Sequence, residues 1–390
     1  METTVRVLVT STAGTGHIHP LVPLASELQA AGHDVLWAIA AESCAQVERY
    51  GFRAMSVGTG AKEEVARLFA EREGPEQMLE LPIRERREVM LPIFFGEIVA
   101  RWMRDGLVNI FDSFRPDLVV HDLCEFAAAP LAARRGIPHA AVAFGAALSP
   151  GLISAVSAST TPMWESEGLV PSPSAGLYDH LYLHPLPTGL GEPLNTATAR
   201  SIRPMHFDGA SVTEAPDWVE KFGRSRSGIY VTFGTEMAAR APWAAIVEAL
   251  GSLDAEAVVT LGSAIDPATL GSPLSNVRVE KYVPQAFILD HAKVVVSHAG
   301  SGTLFAAAAR GIPQLCVPIA ADQWDNSDAL TAAGAAITLE LDQRSVDDIR
   351  QAMLRLLDEP AYAAAAHSLA LDFAALPHPR DHVATLEQLI

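Results

Sequence analysis

The sequence predicts an α/β protein of two similar domains, each built on a parallel sheet. Three observations carry this. Short, near-continuous apolar runs alternate with segments of helical period, the pattern of strands buried on both faces under crossover helices. The alternation lapses around residues 201–220 and restarts at Gly228. The runs that open the two halves, VRVLVTS (5–11) and GIYVTFGT (228–235), both pass straight into a glycine turn, so the halves read as two Rossmann-like domains facing across a cleft. A chain of 390 residues also exceeds one ordinary core.

Element by element, the first strand leads to a helix over 20–32, with Leu21, Leu24, Ala25 and Leu28 on one face, Pro20 near its first turn and Gly32 as its stop. DVLWAIA (34–40), RPDLVVHD (115–122) and IPHAAVAF (137–144) read as the next strands. Residues 59–110 and 145–200 are less regular, and excursions of that length inside a regular fold are often functional. In the second half a helix at PWAAIVEALGSL and a strand at AVVTLG precede NVRVEKYVPQ. Strand KVVVSHAG (293–300), helix GTLFAAAARG, strand IPQLCVP and helix DNSDALTAAG follow. The expected division is 1–205, a linker at 206–220, a second domain at 221–375, and a final helix at 376–390 that packs back toward the first domain.

Composition narrows the function. Hydrophobic residues are 49% and charged ones 19%, so the chain can bury a core. The formal charge of −18 argues against nucleic acid or an anionic membrane as partner. Cys44, Cys124 and Cys316 stand far apart in apolar runs without metal or redox spacing, and read as reduced thiols of a cytoplasmic protein. No apolar run approaches the roughly 20 residues of a membrane span, and METTVRVLVTS lacks the pattern of a signal peptide.

Two glycine-rich turns carry the chemistry. In AGTGHIHP (13–20), Gly14 and Gly16 begin a dinucleotide fingerprint, but His19 stands where its third glycine belongs. What approaches this turn meets His17. In the second half, a strand ends at His298, and Gly300-Ser301-Gly302-Thr303 opens a helix whose unpaired N–H groups suit an anion. TFGT (232–235), with Thr235, is a second small-residue turn that can close on a diphosphate. Taken alone, the glycines at 300 and 302 fit a tight strand–helix turn equally well. No D-x-D sequence occurs, so no metal site for a leaving group is expected.

His298, the glycine-rich helix start, GIPQLCVP, Asp322-Gln323 and Asn326, together with GTGHIHPLVPLASELQAAGHDV, DLVVHD and YVPQ, resemble the family-1 glycosyltransferases of GT-B fold. The likeness spans essentially the whole chain and is closest to bacterial enzymes that decorate secondary metabolites. The resemblance implies diphosphate contacts from His298, Thr303 and the Gly300–Gly302 backbone. It implies that Tyr282 stacks near a base, that the Val283 backbone reads its edge with Gln285 close by, and that Asp322 and Gln323 bind sugar hydroxyls, with Asn326 in the same set. An N-cap for the following helix is the alternative role for Asp322.

The same resemblance makes His17 a general base oriented by Asp122, whose carboxylate would fix the imidazole tautomer. His19 and His121 are expected to serve structure. Met78, Leu81, Met90, Phe94, Phe95, Trp102 and Phe144 are candidates for an apolar acceptor pocket, with helical core as the equal alternative. Where plant relatives carry a glutamate that binds both ribose hydroxyls, this chain has Ala306, which favours thymidine diphosphate. The implied function is inverting transfer of a hexose or deoxyhexose from a nucleoside-diphosphate co-substrate, without further cofactor, to a hydrophobic aglycone. The expected assembly is a monomer or homodimer, with an auxiliary partner allowed. A silent sugar-nucleotide-binding partner protein and an epimerase of the same fold are the rival readings.

Overall fold

A computed structural model describes residues 4–390 except 60–65, 67–69, 71–79, 189, 192–193, 195, 210–213, 235–236, 263–264 and 271–273. Met78 and Thr235 therefore lie outside the described residues. The chain forms two compact units. The first comprises residues 1–186, 193–207 and 377–390, and the second 187–192 and 208–376.

In the first unit the described residues form a parallel sheet in the order β3-β2-β1-β4-β5-β6-β7. Its strands are β1 (Arg6–Thr10), β2 (Asp34–Ile39), β3 (Arg53–Ser56), β4 (Leu118–Asp122), β5 (His139–Val142), β6 (Leu181–His184) and β7 (Ala199–Ser201). The pleat sorts side chains into two cores. Leu8, Leu36, Ala38 and Val119 face one, which is completed by Met103, Leu107 and Phe111 from the helix Ala100–Phe114. Val7, Val9, Val35, Trp37, Leu118 and Val120 face the other, closed by Leu24 and Leu28 of the helix Val22–Ala30.

The second unit repeats the plan in the order β10-β9-β8-β11-β12-β13. These strands are β8 (Ser227–Thr232), β9 (Ala255–Thr260), β10 (Val277–Glu280), β11 (Val294–Ser297), β12 (Gln314–Cys316) and β13 (Ala336–Thr338). Ile229, Val231, Val294 and Val296 serve one core, while Tyr230 and Val295 serve the other. In both sheets the strand order reverses beside the central strand, between β1 and β4 and between β8 and β11. Open α/β sheets leave a crevice at the carboxyl end of such a pair.

The excursion at 59–110 is more regular than its sequence suggests. From Arg86 to Phe114 the chain is one helical rod: a helix at Arg86–Leu91, a π-helical segment at Pro92–Val99 and the helix Ala100–Phe114. Pro92 and Gly96 read as breakers in the sequence. Here Pro92 sits at the start of the π-segment, and widening of the turn absorbs the lost N–H. Gly96 lets this segment approach the helix Pro150–Ser166, since a Cβ there would meet the Ser159 hydroxyl at 2.2 Å.

The C-terminal residues form a 3₁₀ turn at Pro379–His382 and a short helix at Val383–Glu387. They are fastened within the first unit: Arg203 N–H donates to the Pro377 carbonyl (2.7 Å), His33 Nε2 lies 3.0 Å from Glu387, and Leu386 is fully buried. Among the described residues no helix is long and apolar enough to cross a membrane. The three cysteines form no disulfide; Cys124 and Cys316 are buried and Cys44 is half-buried.

Candidate active site

At the first sheet's reversal point, β1 runs into Gly14, whose φ of 109° is open to glycine and strained for other residues. The turn delivers the short helix Thr15–Ile18, which carries His17. Asp122 ends the neighbouring strand β4, one residue beyond the paired Thr10 and His121. The two side chains meet: His17 Nδ1 is 3.4 Å from Asp122 Oδ1. That approach is an ion-pair distance without full hydrogen-bond alignment, so Nδ1 has no aligned partner among the described residues.

Asp122 is fully buried, and its carboxylate is held by backbone donors. Thr12 N–H gives to Oδ2 (2.7 Å) and Cys124 N–H to Oδ1 (2.5 Å), with the Thr12 hydroxyl 3.4 Å from Oδ2. These bonds hold both carboxyl oxygens in place. The His17 ring lies between Phe95 (centroids 5.4 Å apart) and the edge of Phe144 (5.1 Å). Phe94 packs on Phe95. Of the other acceptor candidates, Leu81 and Met90 are half-buried, and Trp102 packs on the core and against Gly58.

Behind Asp122 lies polar structure that the sequence does not disclose. His121 Nδ1 is 3.2 Å from the Asp122 carbonyl, and its Nε2 is 3.2 Å from His139 Nδ1. Burial pushes both imidazoles below the usual histidine range, so both are neutral. A carbonyl only accepts, which puts the His121 proton on Nδ1 and makes His139 Nδ1 the donor to His121 Nε2. This chain fixes both tautomers under the strand end that presents Asp122. His19 is likewise structural: its Nε2 meets the Tyr50 hydroxyl at 2.9 Å.

Glu125 is fully buried three residues on, its Oε1 accepting from Ala127 and Ala128 N–H (2.7 and 3.1 Å) ahead of the helix Ala128–Arg134. Burial first, and then the Asp122 charge, push its carboxyl up to about 8 against the pull of those bonds. The folded chain thus keeps a proton that an unfolded carboxyl loses near its ordinary value, and stability falls as pH rises from about 4.5 toward 8. Glu125→Gln retains the acceptor without the titration. Thermal unfolding should show it matching the wild type near pH 4.5 and exceeding it by at least about 3 °C at pH 8, roughly 1 kcal/mol for a unit of about 200 residues. A pH-independent difference counts against a buried neutral carboxyl.

The second unit builds its site at the corresponding reversal point. Ser297 ends β11 opposite Thr232, and His298, Ala299 and Gly300 lead into the helix Ser301–Ala308. Burial, opposed by the Asp322 charge, pushes His298 down to about 4, so its imidazole is neutral; its buried Nδ1 has no hydrogen-bond partner among the described residues. Gly300 is required by space, since a Cβ there would lie 2.4 Å from His298 Nε2. Gly234, after β8, faces the same ring at φ 64°. Ala299 and Ala321 are both left-handed, at φ 62° and 58°.

Asp322 stands at the N-cap position of the helix Gln323–Ala332 but makes no side-chain capping bond. Its Oδ2 accepts instead from Ser301 Oγ (2.8 Å) and Asn326 Nδ2 (2.9 Å). Asn326 also donates to the Ala299 carbonyl (3.2 Å), bracing the glycine turn from behind. Gln323 is buried, with Oε1 accepting from Ile319 and Ala320 N–H (2.7 and 2.9 Å), so any ligand contact falls to its NH2 group. Thr303 Oγ1 donates to Gln285 Oε1 (3.2 Å). Tyr282 is 59% exposed, and its hydroxyl donates to the Asp208 carbonyl. Val283 and Ala306 are buried in one apolar cluster with Val219, Phe222 and Ile288.

These two units, one with a histidine–carboxylate pair and one with a glycine turn at a helix start, match solved glycosyltransferases along the whole chain. The glycosyltransferase SnogD from Streptomyces nogalater is 28% identical with a TM-score of 0.80, covering 99% of this chain and 100% of that one. The Streptomyces glycosyltransferase SsfS6, solved with thymidine diphosphate, is 26% identical with a TM-score of 0.79, covering 98% and 99%. Among curated proteins, the aclacinomycin-T 2-deoxy-L-fucose transferase of Streptomyces galilaeus is 28% identical over 98% of this chain and 96% of its own length. The protein is a glycosyltransferase of GT-B fold. Within that class the chain belongs to the erythromycin biosynthesis protein CIII-like family, whose N-terminal domain matches residues 26–234 and C-terminal domain residues 244–389.

Proposed function

We propose that this enzyme moves a hexose or deoxyhexose from a thymidine diphosphate sugar to a hydroxyl of a hydrophobic secondary-metabolite aglycone, with inversion. His17 takes the acceptor proton, the freed oxygen attacks the anomeric carbon, and the carbon–oxygen bond to the diphosphate breaks with its electrons on the departing phosphate. Asp122 stabilises the resulting imidazolium, and donors at Gly300–Thr303, with His298, stabilise the leaving charge. The observation that carries the reading is the His17–Asp122 pair at a sheet reversal point, walled by Phe95 and Phe144. An apolar wall suits a lipophilic acceptor, and a single base without a nucleophile suits one displacement. The relatives' names add support: one transfers a 2-deoxy-L-fucose, and one neighbour was solved with thymidine diphosphate.

The nucleotide preference rests on Ala306. A buried methyl among Val219, Phe222 and Val283 supplies no hydrogen bond to a ribose 2′-hydroxyl, which leaves Gln285 as the one candidate partner, and a hydroxyl buried unpaired costs about 1–3 kcal/mol. Calorimetric titration should therefore show thymidine diphosphate binding about 5- to 150-fold more tightly than uridine diphosphate. Tighter binding of the uridine form overturns the preference. Transfer itself is tested with thymidine diphosphate sugars and a panel of hydrophobic hydroxyl compounds beside polar oligosaccharides; efficient transfer to the oligosaccharides alone overturns the acceptor assignment.

A further inference from the structure

The geometry points to a metal seat at the base: we propose that His17 Nδ1, a carboxylate oxygen of Asp122 and Cys124 Sγ together bind a zinc-like divalent ion, which shuts off proton abstraction. The seat stands on its own geometry, while its effect on catalysis rests on the reading of His17 given above. The three ligand atoms lie within 4.8 Å of one another. Local structure gathers them. The bond from Cys124 N–H to Asp122 Oδ1 folds the chain just past β4, keeping residues 122 and 124 beside each other, and the Gly14 turn brings His17 over them. Asp122 and Cys124 are buried, whereas the His17 side chain keeps 19% exposure and so a path for an ion. His17 Nδ1 is buried without an aligned hydrogen-bond partner among the described residues, so an ion that takes this nitrogen sends the ring proton to Nε2 and breaks no formed hydrogen bond.

The donor set decides the ion. One imidazole nitrogen, one carboxylate oxygen and one thiolate sulfur suit zinc or cobalt(II) over magnesium or calcium, and three protein ligands leave a fourth position for water. Binding releases the Cys124 thiol proton to solvent. An ion on Nδ1 also leaves Nε2 as the only ring nitrogen able to carry the imidazole's proton. Nε2–H has no lone pair with which to accept a proton from a hydroxyl, so the metallated ring cannot serve as a base. Nothing is oxidised or reduced, and a chelator reverses the step.

The test uses the full-length protein, freed of metal and thiol reductant, and titrated with Co²⁺. One equivalent should develop the near-ultraviolet absorption of a cobalt–thiolate bond, which Zn²⁺ then discharges. Cys124→Ser should lose that absorption and bind Zn²⁺ at least about tenfold more weakly. Cys44→Ser, on a half-buried helix elsewhere, should keep both. If Cys124→Ser does not fold, His17→Gln serves in its place and should shift the cobalt spectrum. In transfer assays, Zn²⁺ should inhibit the wild type, EDTA should restore it, and Cys124→Ser should need at least about tenfold more Zn²⁺ for half-inhibition of its own metal-free rate. A thiolate band that survives Cys124→Ser, or no band at one equivalent, overturns the seat. Cobalt binding without inhibition overturns the switch. If His17→Ala were to retain transfer while the wild type still bound cobalt, the base assignment would fall and the seat would stand.

Discussion

His17→Ala lowers transfer to a hydroxyl acceptor by about 10²–10⁴-fold, the usual worth of a positioned general base. Nucleotide affinity stays close to the wild-type value, because His17 belongs to the first unit and the expected nucleotide contacts to the second. The loss therefore appears in kcat and kcat/KM together, as when an interaction confined to the transition state is removed. Near-normal turnover by the variant sinks the assignment. Asp122→Asn is impaired in its own way. Both carboxylate oxygens accept backbone N–H bonds, from Thr12 and Cys124, so an amide must turn its NH2 toward one of those donors. It loses stability as well as rate, whereas the exposed edge of His17 lets His17→Ala keep its fold.

Gly300→Ala should weaken nucleotide binding by about 10- to 100-fold and lower the stability of the second unit by about 1–3 kcal/mol, the range for overpacking. The added Cβ would lie 2.4 Å from His298 Nε2 and 2.8 Å from Cε1, so the imidazole or the turn must move. Both belong to the expected diphosphate site, and either movement misplaces a donor. Calorimetry with thymidine diphosphate measures the first effect, and thermal unfolding the second. Gly302→Ala is the control, because nothing lies within 4 Å of its Cβ position. Equal losses in the two variants would mean that the glycine character of the turn matters and the contact with His298 does not.

The central strands are legible in the sequence because parallel strands covered on both faces need continuous apolar residues, as in VRVLVTS and KVVVSHAG. Edge strands carry no such demand. RAMS (53–56) is largely exposed, ARS (199–201) is three residues long, and neither has a period to find. The helical rod from Arg86 is hidden by Pro92 and Gly96, whose tolerance depends on a π-turn and a close helix contact that exist only in the fold. In the site, the glycine turns are visible as motifs, and the His17–Asp122 pair is legible only through the family resemblance. The His121–His139 chain and the protonated Glu125 are not, because both depend on burial between elements far apart in sequence.

Ala299 and Ala321 flank the second unit's site in a backbone region that costs a non-glycine residue roughly 1–3 kcal/mol. Each is pinned from next door, Asn326 holding the Ala299 carbonyl and Gln323 holding the Ala320 N–H. Glycine would relieve the strain but would open a wide range of dihedral angles to both turns. With alanine the allowed well is narrow, so on the diphosphate-binding reading proposed above the turns have little conformational entropy left to lose. Ligand affinity then depends on freedom surrendered during folding. On that reading, the amides that trap two strained residues would make the turns a rigid receptor in advance of the ligand.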